Sequence, residues 1–480
     1  MGRRSWEGTM AKTLIVVAAA LALAFLPAAH GASGRTIVVG DCPNADTTSI
    51  QAGVTMAAAG DLVLVCAGTY AESVTIDAAH SDVAVKAKGP HGGVVLAGSG
   101  AGQPYGFGLI GAHGVLVEGF VVQNYHDDIV LSGATDNTIR GNETMLAADH
   151  DGIELVSNSH RNLVEHNVAH DNLHTTSCGI SAGGGSSENV IHDNVVFHNA
   201  NNGILLGGGL LGAAGPGNVI EHNRVFDNGK PVSGANRGTG ILNAISPGSV
   251  IQHNEVTSNN AFGIRVLGAT SVGVTVAHNH VESNGSTNDD DGIRIELAPN
   301  NVVQYNDSGL NRHDGVHLVA ATGALVEHNV VVQNGTPGIG NGCGIDVDSL
   351  TAAGVTTPST GNTVTNNVSH GHTRSGIRLR NSLANTVANN QVKDNPGDGI
   401  LLTNGDNNTV DRNESNQNGT GAAHAGIHAD AASSGNLLTD NNAFQNLMFD
   451  ARDDNRPANT WSGNHCQTDF PAGTICENGP

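Results

Sequence analysis

Ionisable side chains recur at one fixed place in a repeated phrase. A Gly-Ile or Gly-Val step begins at Gly152, Gly179, Gly203, Gly240, Gly263, Gly292, Gly315, Gly344, Gly376, Gly399 and Gly426. Two residues after these glycines stand Glu154, Ser181, Leu205, Leu242, Arg265, Arg294, His317, Asp346, Arg378, Leu401 and His428. From Arg265 to Arg378 every step carries an ionisable group. Asp291, His313, Asp314, Asp348, Arg374 and Arg380 stand close by in the chain. Such a set suits removal of a proton next to a carboxylate-bearing carbon. Arg294 and Arg378 would neutralise the substrate carboxylate, and His317 would take the proton, oriented by Asp346 or Asp314. Asp291 and Asp314 could instead act as the carboxylate pair of a glycoside hydrolase. The plainer alternative is an outward row of a sheet, polar because it faces water and paired charge to charge between strands.

Other clusters have metal-ligating character. His126-Asp127-Asp128 and Asp149-His150-Asp151 are one repeat apart, and His126, Asp127, His150 and Asp151 could hold a divalent cation. The same side chains could cap turns. Asp289-Asp290-Asp291 offers oxygen ligands for calcium. His166, His222, His253, His278 and His328 each precede an Asn at the same phase of the repeat, and copper is the alternative metal for such a column. Only 5 Met are present and no Cys cluster, which argues against a copper(I) site.

The elements that position these residues follow from the period. The Gly steps are 23 to 37 residues apart, and two earlier turns fit the frame at Gly106 and Asp128. The turn from Gly376 reads Gly376-Ile377-Arg378-Leu379, Asn385-Thr386-Val387, Asn390-Gln391-Val392 and Asn395. Apolar residues alternate with outward ones, the period of a strand. Three short strands in 23 residues leave no room for a helix, so each period is one coil of an all-β solenoid, a single-stranded parallel β-helix of about 13 coils. Asn167, Asn194, Asn223, Asn254, Asn279, Asn306, Asn329, Asn367, Asn390, Asn413 and Asn441 recur once per coil and are expected to stack as a ladder at the bends. Thr48 to Gly60 reads as a short amphipathic helix capping the first coil.

The composition agrees. Gly is 65 of 480 residues, about twice the usual ~7%. Aromatic residues are 3% and charged residues 14%. Collagen, coiled coil and generic disorder are excluded by the absent Gly-x-y period, the low charge and the regular apolar phrases. The formal charge of −23 argues against nucleic acid and anionic membrane surfaces as partners. With few aromatics to stack on neutral sugars, a polysaccharide partner is expected to be acidic. The chain is expected to be a monomer.

Residues 1–31 read as a signal peptide, with Arg3, Arg4 and Lys12 before the apolar run Leu14 to Leu26, whether translation starts at Met1 or Met10. Export permits disulfides, and Cys42–Cys66 and Cys466–Cys476 are the expected pairs at the two chain ends. Cys178 and Cys343 are left as buried thiols. The expected organisation is 32–105 as cap and first coils, 106–454 as repeats and 455–480 as a C-terminal cap.

Ser49-Ile50-Gln51-Ala52, Gly60-Asp61 and Ala67-Gly68-Thr69-Tyr70-Ala71-Glu72-Ser73-Val74 resemble the opening of right-handed parallel β-helix proteins of the pectin-lyase-like superfamily. The phrase is similar to that of NosD-like periplasmic copper-binding proteins, and the coils from Gly292 to Asn418 resemble alginate C5-epimerase repeats. The resemblance covers nearly the whole chain after the signal and implies a right-handed helix, secreted to the periplasm or outside the cell. It implies binding or modification of a polysaccharide by lyase or epimerase chemistry, or non-enzymatic metal handling, or a structural role. No catalytic motif carries over. The phrases of pectin methylesterases and pectate lyases are absent. His370-Gly371-His372 has the wrong spacing for a polygalacturonase. Asp149-His150-Asp151 lacks the Pro of the epimerase Asp-Pro-His-Asp and lies before the Gly step.

Overall fold

The computed structural model describes residues 34–477 except 209–210, 230–237, 288, 337–341 and 422. The expected signal peptide lies outside the described residues. Three long parallel sheets of 17, 16 and 16 strands wrap one core. Each strand pairs in parallel with its counterpart one coil later. The coil after Gly376 shows the unit: Ile377–Arg380, Thr386–Ala388 and Gln391–Lys393 each belong to a different sheet. The fold is a right-handed parallel β-helix of about 16 coils, some 75 Å long at ~4.8 Å per coil.

The count of 13 was too low for a physical reason. The Gly-Ile step is not needed for a coil. Leu62–Val65, Gly68–Tyr70 and Val74–Asp77 form an early coil without it. Beyond Asn455, where the period fades, Thr460–Ser462, His465–Cys466 and Asp469–Phe470 still extend all three sheets.

The core is a set of stacked aliphatic rows. Ile293, Val316, Ile345 and Ile377 are in register and fully buried. Burying such a side chain is worth about 1.5–3 kcal/mol. The Gly before each row is required by close approach. A Cβ on Gly376 would lie 2.2 Å from Val392 Cγ1 and 2.8 Å from Asn395 Nδ2.

Three Asn ladders run along the rod, where the sequence showed one. The expected ladder includes Asn167, Asn194 and Asn223, continued by Asn254 and Asn279. A second contains Asn137, Asn162, Asn189 and Asn218. A third runs from Asn172 through Asn199 and Asn228 to Asn334. Asn306 shows the pattern. Its Nδ2 donates to Asn329 Oδ1 at 3.0 Å and to Val276 O at 2.9 Å. Its Oδ1 accepts from Asn279 N at 2.9 Å and Asn279 Nδ2 at 3.0 Å. The left-handed residue at this bend is the one before the Asn, as at His253 with φ 55° and Tyr305 with φ 54°. His372 takes an Asn place in the third ladder. Its Nδ1 accepts from Asn334 N at 3.1 Å, and burial lowers its pKa to about 3, so it stays neutral.

The cap helix spans Ile50–Met56, shorter than Thr48 to Gly60, because Ala57 is already extended. Ser49 Oγ accepts from Ala52 N, and Glu72 accepts from Ile50 N and Gln51 N, so the free N–H groups of the first turn are satisfied. Gly53 lets the helix sit on Val39 and Val63 at the open end of the first coil. Cys42–Cys66 and Cys466–Cys476 are disulfide-bonded, and Cys178 and Cys343 are buried free thiols. No described helix is long and apolar enough to cross a membrane.

Replacing Asn306 with Ala leaves Asn279 N, Asn279 Nδ2 and Val276 O without their buried partners. The expected loss is on the order of 3 kcal/mol, read as a lower urea midpoint at unchanged slope.

Candidate functional site

The strands Ile293–Glu296, Val316–Val319, Ile345–Asp348 and Ile377–Arg380 are adjacent in one sheet. Their register places Arg294, His317, Asp346 and Arg378 side by side, with Arg265 next to Arg294. The row points away from the core, but from Arg294 to Arg378 it is buried, with only Arg265 partly exposed. Arg294 is 7% exposed, His317 4%, Asp346 0% and Arg378 4%. This corrects the expectation of a solvated outward face. The Phe262 ring lies 4.8 Å from Arg265 and 5.2 Å from Arg294. The segments before each Gly supply Asp291, His313 and Asp314 as a second layer.

The charges in this layer are tightly partnered. Asp291 accepts from His313 Nδ1 at 2.8 Å and His317 Nδ1 at 2.9 Å, and from Arg294 Nη1 at 3.2 Å. Burial opposes its charge, but His317, His313 and Arg294 hold its carboxyl well below the usual range. Burial likewise opposes the His313 imidazolium. Its bond to Asp291 and the neighbouring Asp314 carboxylate outweigh that and raise its pKa to about 10. His317 is raised in the same way, mainly by Asp291 against the cost of burial. Arg294 Nε donates to Glu296 at 2.9 Å, and Arg265 reaches the same carboxylate at 2.6 Å. Arg378 holds Asp346 through two parallel bonds of 2.9 and 2.5 Å, and Arg380 pairs with Asp348. Five carboxylates (Asp291, Glu296, Asp314, Asp346, Asp348) thus face four guanidinium groups (Arg265, Arg294, Arg378, Arg380).

Among the described residues of this set four buried atoms have no hydrogen bond: Arg265 Nε and Arg380 Nε at its edges, and Asp314 Oδ2 and His317 Nε2 in the His-carboxylate cluster. Asp314 Oδ2 faces His313 Nδ1 at 3.0 Å, and His317 Nε2 is 3.5 Å from Asp346 Oδ2. One ligand atom each from Asp291, His313, Asp314 and His317 lies within 4.8 Å of the others. His317 also groups with Asp346 and Asp348 on its other side. No sulfur joins these groups among the described residues.

Asp127, His150 and Asp151 come together in an equivalent frame with Glu154, whereas His126 falls outside that group and is bonded to Asp127 at 2.8 Å on its outer side. In both places an Asp binds the His Nδ1 and a backbone N–H of the next coil. Asp127 meets His150 Nδ1 at 3.0 Å and Asp151 N at 2.8 Å, as Asp291 meets His313 and Asp314 N. One coil on, Asp151 caps Cys178 N and Asp314 caps Cys343 N. The signal was legible as the repeated phrase His-Asp-Gly at His150 and His313, each followed one coil later by Cys-Gly-Ile. Here Glu154 replaces His317, and Asp151 Oδ2 is occupied by Ser181 Oγ at 2.5 Å. Asp127 and Glu154 outweigh burial and raise His150 to about 11.

Two expected metal arrangements do not form. Asp289, Asp290 and Asp291 diverge: Asp290 caps Ser286 N and Thr287 N, Asp289 lies at the surface against Arg294, and Asp291 turns into the cluster. In the imidazole column His222, His253, His278, Tyr305 and His328 stack at 4.8–5.0 Å with rings within 9° of parallel. Parallel lone pairs do not converge on one ion. His166 falls outside the stack and meets His192 edge-on.

Sequence reasoning missed a third set around His428. His428 Nδ1 meets Asp398 at 3.2 Å and Nε2 meets Asp454 at 3.1 Å. His424 Nδ1 also reaches Asp398. Asp454 comes from beyond the last Gly step, which hid the grouping.

The fold and this layered row define a parallel β-helix with buried His-carboxylate centres. Residues 93–273 and 346–477, about two thirds of the chain, match the family model described as periplasmic copper-binding protein (NosD). The chain belongs to that family. Residues 232–357 match a right handed beta helix region. No curated protein matches the sequence. Among solved structures, the Dettilon tailspike protein is 16% identical with a TM-score of 0.46, over 68% of this chain and 59% of its own. The mannuronan C-5 epimerase AlgE4 A-module of Azotobacter vinelandii is 13% identical with a TM-score of 0.41, over 90% and 95%. Pectate lyase Pel9A is 18% identical with a TM-score of 0.41, over 57% and 77%. The chain spans 59% of the tailspike it matches. The periplasmic family and the two disulfides fit an exported protein.

The His428 set carries a pH test away from the metal-type clusters. Burial opposes the His428 charge, but Asp398 and Asp454 raise its pKa above the ordinary value. A raised folded-state pKa stabilises fully below the unfolded value of about 6.5 and less as pH climbs through the folded value. The stability difference between wild type and His428→Gln should therefore shrink from about pH 6 towards alkaline pH. A difference flat across that range would mean that Asp398 and Asp454 do not hold a charged imidazole.

Proposed function

We propose that this is an exported β-helix protein that holds a divalent transition metal, copper(II) by its family, at Asp291, His313, Asp314 and His317. The observation that carries the reading is the buried convergence of two imidazoles and two carboxylates with Asp314 Oδ2 and His317 Nε2 left without hydrogen bonds. The donor set fits. Imidazole and carboxylate suit copper(II) and zinc, and copper(II) is the tighter of the two on such sites. The charge fits as well. Both imidazole Nδ1 atoms aim at Asp291, so a divalent cation could replace two protons with no change of buried charge. When bound, the metal supplies a store of copper or a Lewis-acid centre. Asp346, locked by Arg378, stands beside the His317 Nε2 and fixes the ring.

Chelator-treated full-length protein titrated with copper(II) should take up one tight equivalent and release close to two protons as it does so. His313→Gln and His317→Gln should each lower affinity by at least about tenfold, whereas His150→Gln should not. Absence of uptake sinks the reading, and loss of uptake in His150→Gln alone moves it to the other cluster.

A second reading keeps the acidic polysaccharide. The observation in its favour is the unbroken row Arg265, Arg294, His317, Asp346 and Arg378 across five adjoining strands. A uronate would have to displace Asp346 from Arg378, and a protonated His317 would serve as acid rather than base. Metal-free protein mixed with uronate polymers should then produce the ultraviolet absorbance of an unsaturated product, lost in Arg378→Ala. No product on any uronate removes the lyase version.

A further inference from the structure

A groove of about 450 Å³ lies one to three residues beyond Arg380, between its coil and the next. One wall is an antiparallel hairpin, Leu350–Ala352 with Val355–Thr357, which interrupts the repeat. The other is the bend after two neighbouring strands, at Asn381 to Leu383 and at Asn404 to Asp406. We propose that this groove binds a neutral, hydroxyl-rich sugar of a glycan.

The lining chemistry carries the assignment. Ser382 is 2% exposed, lines the groove, and its Oγ has no hydrogen bond. A buried hydroxyl left without a partner is costly unless a ligand or water completes it. Asp406 spends one oxygen on Ser434 N and Oγ, both at 2.8 Å, and its Oδ2 remains for a ligand hydroxyl. Asn404 Nδ2 donates a hydrogen bond of 2.9 Å to Asn381 Oδ1, which fixes both side chains and leaves further donors and acceptors. Thr351 and Thr356 line it from the hairpin with hydroxyls bonded to each other at 3.0 Å, which keep lone pairs for a ligand hydroxyl, and Leu383 gives an aliphatic surface for the C–H face of a ring. A sugar hydroxyl both donates and accepts, so it can serve carboxylate, amide and hydroxyl partners in turn. Among the described residues no Lys or Arg lines the groove, and Asp406 would repel an anion. The volume is that of a small-molecule site.

This ligand is neutral where the uronate reading needs an anion, and the groove shares no residue with the metal cluster. Full-length protein applied to an array of neutral and uronate oligosaccharides should retain neutral ones. Titration of the best neutral oligosaccharide should weaken at least tenfold in Leu383→Trp, which fills the groove, and in Asp406→Asn. Thr356→Arg on the exposed hairpin repeats the test without touching a coil. All should keep wild-type urea midpoints, and copper-loaded and chelated protein should bind alike. Retention of uronates alone, no retention of any neutral glycan, unchanged affinity in Leu383→Trp and Thr356→Arg, or groove-dependent capture of peptides instead of glycans would each overturn the assignment.

Discussion

Each coil must satisfy the buried amides of its neighbours, and the Asn ladders are how it does so. A bend between strands leaves backbone N–H and C=O groups turned inward, where no water reaches them. An Asn side chain carries a donor and an acceptor at one tip. It can accept from the coil before and donate both to the coil after and to a strand-end carbonyl of the coil before, as Asn306 does to Asn329 and Val276. The three ladders therefore set the spacing and the register of every strand. The left-handed residue before each first-ladder Asn costs about 1–2 kcal/mol when it is not Gly. The amide bonds and, from His222 to His328, the stacked rings offset that cost.

A fixed register makes any outward position into a row with a spacing of ~4.8 Å. At that distance charges are obligate neighbours. Arg265, Arg294, Arg378 and Arg380 each find a carboxylate within reach, and the one imidazole in the row, His317, has carboxylates on both sides. Where an Asp stands at the step, as Asp127, Asp291 and Asp398 do, it has a structural duty first, which is to cap the next coil's N–H. Its second oxygen is then free to engage a His. This is why His-carboxylate centres arise three times on one frame among the described residues, and why they differ in which buried atoms stay unbonded, Asp314 Oδ2 and His317 Nε2 in the central one.

The groove by the 350–357 hairpin has a different origin. It exists because an insertion stands away from the coil surface and is not tied into the ladder. Its polar groups are therefore only partly consumed by coil-to-coil bonding: Ser382 Oγ is unbonded, and Asp406 commits one oxygen, Oδ1, to Ser434 of the next coil. The two candidate sites follow one rule, that chemistry remains available where the repeat leaves a polar atom unpaired.

The repeat period, the parallel coils, the first Asn ladder, the cap helix and the charged row were all legible in the residues, because each is a short-range pattern that recurs. The phrase His-Asp-Gly was legible too, as a hint of paired centres. Burial of the row was not, since an outward strand position reads the same whether or not Phe262 and the pre-glycine segments cover it. The partners of His428, the divergence of Asp289 to Asp291 and the parallel planes of the imidazole stack were likewise set by the path between coils. Sequence by itself determined which side chains share a row, because strand alternation and the 23-residue minimum leave no other phase. Only the tertiary structure decided which of those side chains are spent on one another and which keep a free lone pair, because that depends on distances of a few ångströms across coils far apart in the chain.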